Sequence, residues 1–299
     1  MNILVSGSRG LIGSELIPRL KANGHQVRRL VRSAKNANPS DFLWDPARGE
    51  IQGELKNIDG VIHLAGESIA SGRWNDQKKK EIRDSRIKGT TFLSETIAAL
   101  SPLPKVFLCA SAIGFYGDRG SDTLDENSSN GSGFLAELCR DWEAATNPAR
   151  DAGIRVVNLR IGVALSPKGG ALGKMLLPFQ LGLGGNVGSG EQEMSWIAID
   201  DVAQAMVHCI ENESVSGPVN LTAPNPVPNK EFTRAMGKVL SRPTVMPMPD
   251  FAARLALGEM ADELLLSSAK VLPTKLQSTG FQFAYPEIEG ALRHVINDK

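Results

Sequence analysis

A glycine-rich turn near the N-terminus limits this chain to few folds. The turn reads Gly7-Ser8-Arg9-Gly10-Leu11-Ile12-Gly13 and follows a short apolar run, Asn2 to Ser6, that is typical of a buried strand. After it, apolar side chains recur at helical spacing from Leu11 to Ala22. Where a backbone turns sharply and comes close to a phosphate, residues without a β-carbon are needed. The sequence therefore predicts a phosphate-binding strand–turn–helix unit.

The residues of this turn are the first candidate contacts of a bound dinucleotide. Free N–H groups at the start of the helix, and the positive end of its dipole, would face the phosphates. The spacing departs by one position from the fingerprint G-x-G-x-x-G, because Ser8 stands where its first glycine would be. We predict cofactor contacts from six residues of the turn: Gly7, Arg9, Gly10, Leu11, Ile12 and Gly13.

Strands and helices alternate along the chain as far as Leu159. Further β-type runs and helical patterns follow the turn: strands at Val27–Val31, Val61–Ala65, Val106–Ala110 and Ile154–Leu159, and helices at Asp76–Leu100 and Phe134–Ala152. Parallel strands need crossover connections, so this alternation predicts βαβ units. The predicted fold class is α/β: a Rossmann-type doubly wound parallel sheet with a smaller C-terminal α/β lobe.

The chain changes character after Arg160, where glycine and proline become frequent. Backbone amides between Gly182 and Gly190 could meet a substrate phosphate, the segment could form a flexible lid, or its turns could serve packing alone. Pro-rich breaks at Pro224–Pro228 and Pro243–Pro249 precede a short helical tail. We predict a dinucleotide-binding domain over residues 1–240, with substrate-lobe segments within about 165–240, and a small C-terminal helical domain over residues 241–299.

Arginines at the end of the second strand indicate which dinucleotide is bound. Arg32 ends that strand, and Arg28 and Arg29 precede it. No acidic residue occurs between Glu15 and Asp41. An NAD-preferring fold usually places Asp or Glu there to bind the ribose 2′-hydroxyl, whereas a guanidinium can hold a 2′-phosphate with two hydrogen bonds. A solvated strand edge is the alternative explanation, but the pattern favours NADP, with Arg32 as a cofactor contact.

Several motifs together resemble one branch of a large superfamily. They are the glycine turn, His63-Leu64-Ala65-Gly66-Glu67, Ser111-Ala112-Ile113-Gly114-Phe115-Tyr116-Gly117 and Trp196-Ile197-Ala198-Ile199-Asp200-Asp201. With them the chain resembles an atypical (extended-like) short-chain dehydrogenase/reductase of the nucleoside-diphosphate-sugar epimerase-like family, which carries a C-terminal domain of unknown function. The resemblance implies that Leu64, Ala65 and Gly66 line the adenine and ribose side of the cofactor. It also implies that Ser111 lies near the nicotinamide.

The proton-transfer pair of that superfamily is missing from the sequence. Its members use a Tyr followed four residues later by a Lys, at the helical spacing that lets the ammonium group lower the pKa of the phenol. Neither of the two tyrosines has such a Lys, and other residues occupy the expected positions: Gly133 and Glu137, or Phe134 and Leu138. Ser111 and Tyr116 are left as catalytic candidates. A hydroxyl group that caps the strand end and a packed aromatic ring are the alternatives.

Other charged residues fit either a substrate or a structural role. Arg73, Arg86 and Arg160 could meet an anionic substrate, although a solvated helix face explains the first two equally well. Asp200 and Asp201 precede a helical run and are expected to cap it. The four histidines are scattered, so no metal site is predicted.

Charge and cysteine content argue against several classes of protein. Lys plus Arg and Asp plus Glu both total 33, so we expect no nucleic-acid partner and no membrane association. The three cysteines form no C-x-x-C pair, which is typical of buried free thiols in a reducing compartment. We therefore predict a cytoplasmic location. A homodimer through the helices Asp76–Leu100 and Phe134–Ala152 is expected, as relatives in the superfamily often form one.

These observations support two functions from different classes. The first is an NADP-dependent oxidoreductase or nucleoside-diphosphate-sugar epimerase-like enzyme that acts on a small polar or nucleotide-linked molecule. The second is a non-catalytic protein that senses NADP(H) by binding it. The glycine-rich lobe, which could enclose a ligand, favours the enzyme, and the missing Tyr and Lys favour the sensor.

Overall fold

One sheet of eight strands organises residues 1–297, the part of the chain that the computed structural model describes. The strands are β1 Asn2–Ser6, β2 Gln26–Val31, β3 Phe42–Asp45, β4 Glu50–Gln52, β5 Gly60–His63, β6 Val106–Ala112, β7 Thr123–Leu124, β8 Arg155–Ile161, β9 Val163–Leu165, β10 Glu193–Met194, β11 Trp196–Ala198, β12 Gly217–Leu221, β13 Val227–Pro228 and β14 Lys270–Val271. The helices are α1 Leu11–Ala22, α2 Asp76–Ala98, α3 Phe134–Ala144, α4 Asn147–Asp151, α5 Gly170–Gln180, α6 Ile199–Glu211, α7 Asn229–Leu240, α8 Asp250–Leu257, α9 Glu259–Ala261, α10 Thr274–Ser278 and α11 Ile288–Asn297. The predicted α/β class is confirmed.

The strand order of the large sheet is β12-β8-β6-β5-β1-β2-β3-β4. Every neighbouring pair runs parallel except β3 and β4. The order reverses at β1, since β2 and β3 lie on one side of it and β5, β6 and β8 on the other. In such sheets a dinucleotide binds beside the reversal, at the carboxyl ends of the strands. The predicted Rossmann-type doubly wound sheet is confirmed, and the glycine turn lies at its switch point.

Helices cover both faces of this sheet. On one face α1 packs against α6, where Leu16 and Met206 belong to the same buried cluster. On the other face α2, α3 and α4 contribute Leu93, Trp142 and Ala149 to a second cluster. These two layers hold the strand ends in fixed positions. Among residues 1–297, no helix has both the length and the apolarity that crossing a membrane would need.

The single helix predicted over Phe134–Ala152 is wrong, because the structure divides it in two. α3 ends at Ala144, and α4 begins at Asn147 with Pro148 in its first turn. Proline has no backbone N–H and cannot continue a helix from the preceding turn, but it fits the first turn of a new one. The homodimer expected through this region and α2 stays a prediction.

A further core lies in the C-terminal lobe. It joins β9, β11, α5 and α7 to the last helix, α11, through buried side chains that include Phe179, Trp196, Phe232 and Leu292. Residues on both sides of position 240 therefore share one core. The lobe borders the carboxyl edge of the large sheet, because β9 follows directly after β8.

Candidate functional site

The turn after β1 lies against the segment that leaves β5. Gly7 has a φ of +67°, which favours glycine, and a β-carbon added there would lie 2.5 Å from the carbonyl carbon of Leu64. A β-carbon on Gly13 would lie 2.4 Å from the carbonyl oxygen of Gly7. Both positions exclude a larger residue, so the turn, α1 and the exit of β5 form one tightly packed unit.

The first turn of α1 supplies hydrogen-bond donors for an anion. The helix begins at Leu11, directly after Gly10, whose amide donates to the carbonyl oxygen of Gly7 at 3.0 Å. Gly10 has no side chain with which to cap the helix, so the N–H groups of Leu11 and Ile12 keep the capacity to bind an outside acceptor. Arg9 and Gly10 are exposed. A dinucleotide diphosphate fits these donors and the helix dipole.

A buried serine joins the glycine turn to the expected adenine side. Ser6, the last residue of β1, accepts hydrogen bonds from the amides of Leu64 at 3.2 Å and Ala65 at 3.3 Å. Its own proton therefore goes to Nδ1 of His63, 2.6 Å away. Burial lowers the pKa of His63 to about 4, so the ring is neutral at pH 7. No spacing rule connects Ser6 with His63, so the sequence alone does not predict this link.

Two of the three arginines near the end of β2 are engaged within the protein. Arg28 lies 4.3 Å over the ring of Phe42. Arg29 forms an ion pair with Asp41, with Nε 3.0 Å from Oδ1. The guanidinium groups of Arg28 and Arg29 therefore already have partners within the protein. Arg32 follows β2 directly and is exposed.

A cavity of about 180 Å³ lies beside Arg32. Its lining combines cationic, acidic and aromatic side chains: Arg32, Ala34, Leu43, Trp44, Asp45, Arg48, Glu50 and Gln52. Arg48 comes from the hairpin between β3 and β4 and lies 3.6 Å from Asp45. Two guanidinium groups can hold a phosphate group, although the carboxylates of Asp45 and Glu50 line the same cavity. The sequence alone does not predict a role for Arg48, because only the folded hairpin brings it to the end of β2.

The structure buries Ser111 and directs its hydroxyl group to a carboxylate. Ser111 lies near the carboxyl end of β6 and is 3% exposed. Its Oγ donates to Oε1 of Glu143, on α3, at 2.8 Å. Arg160, on β8, binds the same carboxylate through Nε to Oε1 at 2.8 Å and Nη2 to Oε2 at 2.9 Å. Ser111 thus lies near the carboxyl edge of the sheet, with its proton engaged in a hydrogen bond to Glu143.

Tyr116 is fully buried, with a relative exposure of 0%. Its phenol oxygen lies 2.7 Å from Oδ1 of Asn220 and 2.9 Å from the carbonyl oxygen of Asp125, and it accepts from Nη1 of Arg160 at 3.0 Å. Burial raises the pKa of this phenol. The geometry therefore argues for a packed aromatic ring and against a proton donor to substrate. Arg160 is 4% exposed and supports the fold, which argues against contact with an anionic substrate.

Two of the cations expected near a substrate, Arg73 and Arg86, help to hold the loop after β5 in place together with Lys78. Lys78 lies 2.6 Å from the Glu67 carboxylate, and its hydrogen bond lowers the pKa of Glu67. Arg86 donates to the carbonyl oxygen of Glu67 at 2.9 Å. Arg73 donates to the carbonyl oxygen of Leu255 at 3.1 Å. These contacts favour the structural explanation of Arg73 and Arg86.

A carboxylate from the C-terminal segment occupies the start of α3. Oε1 of Glu263 accepts from the amide of Phe134 at 3.0 Å, and Oε2 accepts from that of Leu135 at 3.2 Å. Gly133, at one of the two positions expected for the family's Tyr, has a φ of +100°. A β-carbon there would lie 2.5 Å from Oε1 of Glu263. No motif pointed to Glu263, which reaches this place only through tertiary folding.

The expectation that Asp200 and Asp201 cap a helix is wrong. α6 begins at Ile199, so both residues lie inside its first turn. Asp200 accepts from Arg19 at 2.5 Å, and Asp201 accepts from the amide of Ala284 at 2.9 Å. These carboxylates tie α1 and the C-terminal segment to α6.

The glycine cluster at 182–190 serves packing. A β-carbon on Gly185 would lie 2.1 Å from the carbonyl oxygen of Met246, and one on Gly188 would lie 2.4 Å from Oδ1 of Asp250. The chain at 246–250 runs directly against these glycines. Of the explanations left open by the sequence, close packing is the one that the geometry supports.

Family models match nearly the whole chain. Residues 3–221 match the NAD dependent epimerase/dehydratase family, and residues 248–295 match a domain of unknown function, DUF1731. The resemblance drawn from the sequence motifs is confirmed at the level of family and domain order.

Individual relatives agree with this match. An epimerase family protein of Mycobacterium leprae is 43% identical over 293 residues, which cover 98% of this chain and 94% of that protein. The crystal structure of the human epimerase family protein SDR39U1 with NADPH covers all of both chains, with a TM-score of 0.93 and 35% identity. A nucleoside-diphosphate sugar epimerase from Corynebacterium glutamicum has a TM-score of 0.82 and 38% identity, covering all of this chain and 59% of its own.

Proposed function

The chain belongs to the NAD dependent epimerase/dehydratase family, and we propose that it is an NADPH-binding oxidoreductase whose substrate is a small polar molecule. The bound cofactor would supply hydride chemistry, and the protein would bind it, orient it and exclude water. The glycine turn and the uncapped start of α1 would hold the diphosphate. Leu64, Ala65 and Gly66 would line the adenine and ribose.

Arg32, which follows β2, and Arg48, in the hairpin between β3 and β4, would select NADPH. Arg32 and Arg48 line one cavity at the place where the ribose 2′ position is expected. Asp41, the first acidic residue after β2, is already paired with Arg29. A 2′-phosphate would gain charge-assisted hydrogen bonds here that a 2′-hydroxyl cannot match. The human relative crystallised with NADPH supports the same choice.

Titration with NADPH and NADH, followed by nicotinamide fluorescence, tests this proposal. We expect NADPH to bind at least ~10-fold more tightly, which corresponds to ~1.4 kcal/mol. Arg32→Asp should narrow or reverse the preference, because it places a negative charge beside the phosphate. Arg28→Ala is the matched control and should leave the ratio unchanged, since Arg28 is stacked on Phe42. Equal affinities of the wild type for the two cofactors would contradict the proposal.

A non-catalytic NADP(H) sensor is the second candidate. The buried phenol of Tyr116 and the absence of the family's Tyr and Lys from the sequence favour it. The two candidates differ in whether NADPH is consumed. Phenanthrenequinone serves as a broad carbonyl probe, and UDP-glucose is a second probe because the relative from C. glutamicum is described as a nucleoside-diphosphate sugar epimerase. Tight NADPH binding without turnover of any probe would support the sensor.

A further inference from the structure

The helix that lacks the family's Tyr and Lys carries a carboxylate farther along, and this carboxylate contacts the candidate serine. Glu143 is on α3, and its Oε1 accepts the Ser111 hydroxyl proton at 2.8 Å. Building on the proposed function, we infer that Glu143 positions Ser111 and exchanges a proton with it, in place of the missing Tyr–Lys pair. Ser111 would touch the substrate, and Glu143 would act through Ser111.

Glu143 is held in one orientation, as a positioning residue must be. Arg160 binds both of its oxygens, at 2.8 Å and 2.9 Å. The guanidinium of Arg160 lies 3.5 Å from the centre of the Phe115 ring and donates to the Tyr116 hydroxyl group. The bonding groups are largely buried and come from three elements, β6, α3 and β8. Hydrogen bonds between charged groups in such a setting resist rotation of the Glu143 carboxylate. The Ser111 hydroxyl group therefore meets a fixed acceptor.

This contact determines what Ser111 can bind. A serine hydroxyl group has one proton, and here Ser111 donates that proton in a hydrogen bond to Glu143 Oε1. The Ser111 oxygen can therefore accept a hydrogen bond from a substrate hydroxyl group. In the oxidation of an alcohol the substrate O–H bond breaks, its proton passes to Ser111 Oγ, and the former Ser111 proton passes to Glu143 Oε1. Transfer of the hydride to the oxidised cofactor completes the balance, leaving a carbonyl product and a protonated Glu143.

None of the titratable groups described around Glu143 competes with its carboxylate for that proton. Arg160 faces it from β8 and remains charged. Cys109 on β6 and Cys139 on α3 are buried, and burial raises the pKa of each thiol to about 12, so both stay neutral. Burial also raises the pKa of Tyr116, which stays protonated. No thiolate or phenolate from these elements competes for the proton.

The test measures NADPH consumption with phenanthrenequinone, and NADPH affinity, across pH. We expect Ser111→Ala and Glu143→Gln to lower kcat by ~10²–10⁴-fold while NADPH affinity stays within about twofold of wild type. Ser111→Thr keeps a hydroxyl group and should recover part of the lost rate. The pH–rate profile of the wild type should contain a limb that Glu143→Gln abolishes. A purely structural role would lower the rate without changing the shape of the profile.

Glu143→Gln leaves a buried guanidinium short of a partner, so a second variant guards against misfolding. Glu143→Leu combined with Arg160→Met removes both charges together and should bind NADPH but show the same loss of kcat.

Two results would overturn the inference, and they separate a failure of the proton relay alone from a failure of the proposed function. If the wild type turns over the probe, and the Glu143 variants keep its kcat and pH profile, Glu143 is structural while the proposed function stands. If the wild type binds NADPH and consumes none of it with any probe, the proposed enzyme fails and the relay fails with it.

Discussion

The backbone N–H of Phe134 donates to the carboxylate of Glu263 at 3.0 Å, across a separation of 129 residues. The other carboxylate oxygen accepts from the amide of Leu135 at 3.2 Å. One side chain of the C-terminal segment therefore caps the helix that covers β6. A negative charge at a helix N-terminus interacts favourably with the helix dipole, so this contact fastens the C-terminal segment beside the proposed cofactor cleft.

Loss of this cap should destabilise the protein. We expect Glu263→Ala to lower the free energy of unfolding by ~1–2 kcal/mol, the usual effect of removing a capping group. Gly133→Ala should lower the free energy of unfolding by at least as much, because the new β-carbon would overlap the Glu263 carboxylate and the backbone at Gly133 has a φ of +100°. Urea unfolding should show that the variant with both substitutions loses less free energy of unfolding than the sum of the two single losses. The reason is that removal of the Glu263 carboxylate relieves the overlap with the new β-carbon. Glu259→Ala, which breaks a partly exposed pair with Lys79, is the control. Strict additivity would mean that Gly133 and Glu263 are not coupled.

Gly7 should be far less tolerant of substitution than Gly24. Both have positive φ, +67° and +78°, but a β-carbon meets the Leu64 backbone at 2.5 Å only at Gly7, and nothing within 4 Å at Gly24. Gly24→Ala therefore reports the left-handed strain alone, ~1 kcal/mol. Gly7→Ala should lose at least ~2 kcal/mol and weaken NADPH binding at least ~10-fold. Urea unfolding and NADPH titration measure both effects. Equal losses in the two variants would remove the close approach as the reason for Gly7.

Stability should fall in mild acid because of His63. Burial lowers its pKa in the folded protein to about 4, from an ordinary 6.5. In the unfolded chain this histidine becomes protonated below pH 6.5, whereas in the folded protein it becomes protonated only near pH 4. The stability contributed by neutral His63 is therefore lost as the pH falls from 6.5 to 4. Between about pH 7.5 and about pH 5, the wild type should lose roughly 2 kcal/mol more than His63→Asn. Unfolding by urea at each pH measures this difference. His25→Gln serves as the control, and a His63 variant with the full wild-type pH dependence would refute the assignment.

Tyr116→Phe should behave as a structural variant. It removes the acceptor of Arg160 Nη1 and the partner of Asn220 inside the protein, and buried groups left without partners cost ~1–3 kcal/mol. NADPH affinity should stay unchanged. Thermal unfolding and NADPH titration together provide the measurement. A large loss of turnover with unchanged stability would instead restore Tyr116 as a catalytic candidate.

Local signals made the first half of the fold predictable. The strand–turn–helix at Gly7 and the alternation of elements up to Leu159 depend on residues close in sequence, so the sheet and its switch point could be inferred. The polar contacts of the site could not be inferred from the sequence. Ser6 with His63, Ser111 with Glu143 and Phe134 with Glu263 join residues that only the finished fold brings together. The same limit applies to Arg28 and Arg29, whose contacts with Phe42 and Asp41 are seen only in the folded protein.

The packing of α11 against α7, β9 and β11 has a consequence for how the chain folds. These elements are distant in sequence, so the core of the lobe closes only after a long loop has been brought together, and contacts of that kind form slowly. Until α11 docks, the apolar sides of α7 and β11 remain open to water and to other chains, which favours aggregation. The segment matched as a domain of unknown function therefore limits how long the lobe remains vulnerable during folding.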